Sequence, residues 1–154
     1  MTCPTTPRPA PGDLARRPAP KPPALTPAQA VAPGRLQGKE RMRPTFHRGL
    51  RISRMHPEAR LVALTLLGYA HHTTGVVFPR YQPSAEQLAE DTGLTPGQID
   101  VQIGVLTQRG WLGTRRINQG ADAGRDGLRL TIPALVLEQV RAARAAEQSE
   151  PATG

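Results

Sequence analysis

Apolar positions along the chain fall at helical spacing around residues 57–71, 85–92, 96–108 and 133–147, and at strand spacing around 75–78, 113–117 and 128–132. Ile99, Ile103 and Leu106 stand at i, i+4 and i+7, so they share one helical face. Thr95 offers a capping hydroxyl to that helix, and Pro96 occupies its first position, where no amide hydrogen is missed. Upstream, Ser84 caps a helix over 85–92 with Gln87 in capping-box position, and Gly93 is a turn residue that tolerates positive φ. Leu88 and Leu94 flank that turn on its inner side, with Ala89 small enough to sit between crossing helices. The stretch LAEDTGLTPGQIDVQIGVLTQRGWL at 88–112 thus predicts a helix, a tight turn, a second helix and the start of a strand.

The remaining elements arrange themselves around it. His56-Pro57 precedes a helix over 57–71 that is apolar round most of its circumference, through Leu61, Val62, Leu64, Leu66, Leu67 and Ala70, and so belongs in the middle of a small domain. Gly75 to Phe78 predicts a short strand stopped by Pro79, and PRYQ at 79–82 an extra loop. Gly113 to Ile117 and Leu128 to Ile132 predict a hairpin around a Gly and Asp loop. Pro133 opens a last helix to about Glu147, whose Leu135, Val136, Val140 and Ala143 cover the first helix or a partner. SEPATG is a frayed end.

On the residues PSAEQLAEDTGL at 83–94 and GWL at 110–112, the segment 57–132 resembles the winged helix-turn-helix domains common among actinobacterial and plasmid-borne DNA-binding proteins. The resemblance implies a mostly α fold with a small β-hairpin, the wing, and a second helix that lies in the major groove of duplex DNA. It implies a small transcriptional regulator; the same fold also serves as a protein-docking module.

Composition divides the chain where the pattern does. Eleven of the 17 prolines lie in residues 1–44, among few large apolar residues, so this part cannot bury enough surface to offset its ordering entropy. The expected organisation is a disordered Pro/Arg-rich tail and basic arm at 1–45, a domain at 46–147 and a frayed end at 148–154. Met42 falls close to the compositional change and is a candidate alternative start. Charge divides likewise: residues 1–55 hold eleven bases against two acids, and residues 56–154 nine bases against ten acids. The basic character therefore resides in the N-terminal part, and the domain itself is close to neutral.

Several groups are candidates for contact with DNA. Thr95, Gln98 and Gln102 would face out from the second helix, and Gln98 and Gln102, as i, i+4 neighbours, match bidentate pairing with adenine. Asp100 on the same helix either repels phosphates or accepts from cytosine N4. Arg115, Arg116, Arg125 and Arg129 lie on the wing, with Arg125 at its tip; they either reach the minor groove and its phosphates or solubilise the hairpin. Arg41 and Arg43 belong to the basic stretch 35–54, an arm along phosphates or a solvated linker, of which Phe46, Leu50 and Ile52 touch the domain. Val101 and Val105, with Gly97 and Gly104, form a small apolar stripe that fits a protein partner or a second copy of the chain.

Other chemistries find little footing. No Gly-rich phosphate loop, placed nucleophile or catalytic carboxylate pair is present, so the chain is not expected to be an enzyme or to use a cofactor or small-molecule substrate. The one cysteine, Cys3, excludes a disulfide framework, and His71 with His72 lacks a third metal ligand. No apolar run reaches membrane-spanning length and no signal segment is evident, so a cytoplasmic protein without membrane contact is expected, with double-stranded DNA as its partner.

Overall fold

The computed structural model describes residues 24–150. It contains six α-helices among these residues: α1 (Pro27–Val31), α2 (Met42–Ile52), α3 (Pro57–Tyr69), α4 (Ala85–Thr92), α5 (Pro96–Gln108) and α6 (Ala134–Ser149). Strands β1 (Val76–Val77), β2 (Leu112–Arg116) and β3 (Asp126–Leu130) make one antiparallel sheet in the order β1-β3-β2. The expected fold is the observed one: mostly helical, with a small sheet whose main part follows the helix-turn-helix pair.

Helix α3 contributes five buried residues to the core, while Leu61 and Leu64, part of the apolar circumference expected to be enclosed, stand exposed. Pro57 occupies its first turn, His56 Nδ1 accepts from the Glu58 amide, and Ala59, Val62, Ala63, Leu66 and Leu67 are buried. Against it pack Leu88 of α4, Ile99 and Leu106 of α5, and Leu112 and Leu130 of the sheet, in one continuous core. Between α4 and α5, Gly93 takes φ +78°, a conformation that costs other L-residues about 1 kcal/mol or more. In the sheet Leu112 opposes Leu130 and Thr114 opposes Leu128, which turns this set of side chains toward the helices.

The N-terminal part departs from expectation. Residues 1–23 lie outside the described range, but 24–45, expected to continue the disordered tail and arm, are folded onto the domain. Thr26 and Gln29 close a capping box on α1, the Gly34 amide donates to Ile132 O, and the Ala134 amide donates to Ala32 O. The basic stretch likewise holds a full helix, α2. Met42, Phe46 and Leu50, spaced by four, are buried on its inner face, and Phe46 meets Trp111 edge-on with ring centroids 5.3 Å apart. Pro44 does not interrupt it, because in a first turn the missing amide hydrogen would bond to nothing within the helix.

Helix α6 covers α2 rather than α3, with Leu137 and Val140 buried and Leu135 left exposed. Polar contacts fix it from outside: Arg144 donates to the buried Thr45 hydroxyl at 3.1 Å, Arg48 pairs with Glu147, and Arg141 holds Glu40 at 2.8 Å. A second Arg141 nitrogen donates to Arg35 O. The segment 32–40 is in this way strapped across the start of α6, its chain direction set by backbone pairing rather than by apolar side chains. Among the described residues no helix is long and apolar enough to cross a membrane.

Candidate nucleic-acid interface

Helix α5 starts as its sequence directs, and the way it starts consumes two of the residues expected to read bases. Thr95 Oγ1 accepts from the Gln98 amide at 3.2 Å, while Gln98 Oε1 accepts from the Thr95 amide at 2.9 Å, a complete capping box. The Gln98 amide nitrogen remains in solvent, so this residue can still donate outward. Gln102 is different. Only 9 % of it is exposed, and its Nε2 donates to Glu58 Oε2 on α3 at 3.2 Å. The expectation that Gln102 faces out is corrected: at i+3 from Ile99 it falls on the inward edge of the helix, where a carboxylate satisfies it.

What α5 presents to solvent is therefore Pro96, Gly97, Gln98, Asp100, Val101 and Gly104, with Thr107 and Gln108 at its end. Val101 is 61 % exposed, whereas Val105 is half-buried, so the expected valine stripe reduces to one residue flanked by glycines. A Cβ built at Gly97 or at Gly104 would meet no neighbour within 4 Å. Both glycines cost the helix about 1 kcal/mol relative to Ala and leave its outer face low and flat. No lysine or arginine stands on this face before Arg109.

Positive charge is found instead on the hairpin. Asp122, buried in the loop, accepts from Arg125 at 3.0 Å and from Arg80 Nε at 2.8 Å. This pairing holds the Arg80 guanidinium firmly in its charged form. The extra loop at 79–82 is thereby explained: it forms a 3-10 turn, Pro79–Tyr81, that brings Arg80 to the hairpin, with the guanidinium over the Tyr81 ring. Arg116 pairs with Asp126 directly across the two strands at 3.3 Å. Arg116 and Arg125 line a shallow depression together with Asp126, Gln82 and Ser84, the N-cap of α4. Two arginines, each paired with an aspartate, thus stand beside a helix N-terminus, whose amides favour an anion. Ser84 caps α4 alone: the Gln87 side chain donates to Asp91, so the expected capping box is not closed.

The other arginines go elsewhere. Arg129 lies between Leu128 and Leu130, which point into the core, so it occupies the sheet face turned away from the helices, and Arg115 shares that face by alternation with Gly113, the partner of Arg129. Arg43 is on α2 and donates to Leu67 O and Ala70 O, closing the C-terminal end of α3. That role suits a cation at a helix C-terminus and removes Arg43 from any free arm. Arg41, the residue preceding α2, is exposed.

Sequence reasoning missed Arg80 and Asp122. Their only signal was an isolated acid three residues before an arginine in a glycine loop, whose turns at Gly120 and Gly124 both take φ +83°.

Residues 53–112 match the family model described as a helix-turn-helix domain, from the end of α2 to the first residue of β2. The match falls on α3, α4 and α5 and supports a helix-turn-helix domain of the DNA-binding kind in this part of the chain. No curated protein and no solved structure matches the chain.

Proposed function

We propose that this protein is a winged helix-turn-helix DNA-binding protein, a small transcriptional regulator that meets duplex DNA with the outer face of α5 and with the β2–β3 hairpin as its wing. The observation that carries the reading is the coincidence of the helix-turn-helix match with a second helix whose outer face is low and solvent-exposed, followed in the chain by a hairpin that carries four arginines. In this reading Gln98 and Asp100 contact base edges, and Arg125, Arg116 and Arg80 contact phosphates. Glycines at 97 and 104 let the helix axis approach the groove floor. The sequence preference is modest, because Gln102 is engaged elsewhere and Thr95 works as a cap.

A second reading is favoured by Val101, the most exposed large apolar residue of the domain. A flat helix face with a central valine and one acid also fits a protein surface, in which case the domain is an adaptor or dimerising module. Selection from a random duplex library at about 150 mM salt, where non-specific binding is already weak, separates the two. An enriched motif is expected. Salt-sensitive binding without a motif, or no binding, would overturn the regulator reading and leave the protein-interaction module.

A further inference from the structure

The sheet has a second face, turned away from the helices. Leu112, Leu128 and Leu130 point into the core, so Gly113, Arg115, Gly127 and Arg129 point away from α4 and α5. Arg129 is flanked in the sheet by Gly113 on one side and Val76 on the other, and Gly113 leaves the space beside it open. The strap at residues 33–36 forms the far wall. The result is a cleft of about 640 Å3 into which Arg35, Arg115 and Arg129 converge.

Three features of this cleft point to an anion. No carboxylate lines it, and none of its three arginines takes part in an ion pair among the described residues. The neighbouring acid, Glu40, is already taken by Arg141. Arg129 Nε is buried and bonds to nothing, a donor whose desolvation stays uncompensated until an acceptor arrives. Guanidiniums held this way match the oxygens of phosphate groups, which they grip bidentately.

A second cleft of about 450 Å3 opens beside the first, sharing Thr74 and Arg115 with it. Its character is different: Val76, Phe78 and Ile117 give it an apolar wall, and Arg116 with the Asn118 and Gln119 amides also lines it. A cationic compartment joined to an apolar one with amide donors and acceptors fits a ligand with a polyanionic end and a flat ring carrying polar edges. We propose that the two clefts form one site for a nucleoside polyphosphate, with the phosphates on Arg35, Arg115 and Arg129 and the base against Phe78 and Ile117. Asn118 and Gln119 read the edge of the base. The site shares Arg116, at its edge, with the proposed duplex contacts, and it would make the protein responsive to a nucleotide pool.

Calorimetric titration of the full chain with ATP, GTP and tripolyphosphate tests this. Saturable binding of one nucleotide is expected, at least about tenfold tighter than tripolyphosphate because the base contributes. Arg35→Ala with Arg115→Ala, both exposed and unpaired, should weaken it by about tenfold or more, while Arg125→Ala on the hairpin tip should change it by less than about twofold. Circular dichroism confirms that the double variant is folded. Absence of saturation below about 5 mM, or equal affinity of the double variant, would overturn the site. Tripolyphosphate binding as tightly as the nucleotides would overturn the base compartment. A short duplex that displaces the nucleotide would show instead that the arginines serve DNA phosphates.

Discussion

Gln102 and Glu58 join α5 to the first turn of α3 through a hydrogen bond of 3.2 Å between Nε2 and Oε2. The pair sits at the junction of the helix-turn-helix unit with the central helix, and it shows how a residue type suited to adenine can serve the fold. Gln102→Ala should lower stability by about 1 kcal/mol, because the half-buried Glu58 carboxylate loses its partner. Thermal melts would reveal that loss, and duplex selection should give an unchanged motif. A changed motif with unchanged stability would put Gln102 back at the interface.

Gly110 admits the strap. A Cβ there would stand 2.0 Å from Val31 O, and the residue takes φ +81°. Gly110→Ala should therefore cost more than the about 1 kcal/mol expected from positive φ alone. In a chain starting at Met42 the clash is absent and only the conformational part should remain. Comparing the two melts, with limited proteolysis between residues 24 and 40, measures how firmly the strap is docked.

Arg125 and Arg80 share Asp122, so the hairpin tip should keep its shape when Arg125 alone is removed. Arg125→Ala is expected to weaken duplex binding uniformly across sequences and to flatten the plot of log K against log salt by about one unit. Asp122→Ala should act differently. It releases both arginines, destabilises the tip, and weakens binding with no such simple change of slope.

Two carboxylates give the fold an acid limit. The Arg141 guanidinium bonded to Glu40 holds its carboxyl below the ordinary value of 4.5, and Arg48 does the same to Glu147. Folding therefore favours their ionised forms. The stability they contribute is fully present above about pH 4.5 and is lost as pH falls through the lowered folded-state values. Melts of the native chain should drop below that pH, and Glu40→Gln should flatten the drop. An unaltered acid limb would mean that the strap contributes nothing to it.

Val101, 61 % exposed, can be changed without touching the core. Val101→Asp adds a second negative charge next to Asp100 and should reduce duplex binding by repulsion, in proportion to how closely α5 approaches phosphates. Light scattering on the same variant decides the alternative. If the native chain is dimeric and the variant monomeric, α5 is a protein-binding face.

Parts of this architecture are written locally and could be read without the fold. Ser84, Gly93, Thr95 and Pro96 set the ends of α4 and α5 through contacts within four residues, and Ile99 and Leu106 declare the buried side by spacing alone. The same spacing was present in Met42, Phe46 and Leu50. It went unread because seven bases in residues 35–54 and a proline after Arg43 drew the segment toward a solvated arm. Helix α2 forms because its three apolar residues find Trp111 and α6, which lie far away in sequence.

The sequence by itself determined the helix-turn-helix unit and the hairpin after it, since capping, turn and periodicity are properties of neighbouring residues. Only the tertiary structure decided where the polar side chains went. Glu58 claimed Gln102, Asp122 claimed Arg80 and Arg125, the end of α3 claimed Arg43, and strand alternation sent Arg115 and Arg129 behind the sheet. Long polar side chains bond to whichever acceptor the packed backbone brings within about 3 Å, and those acceptors lie up to 101 residues away along the chain.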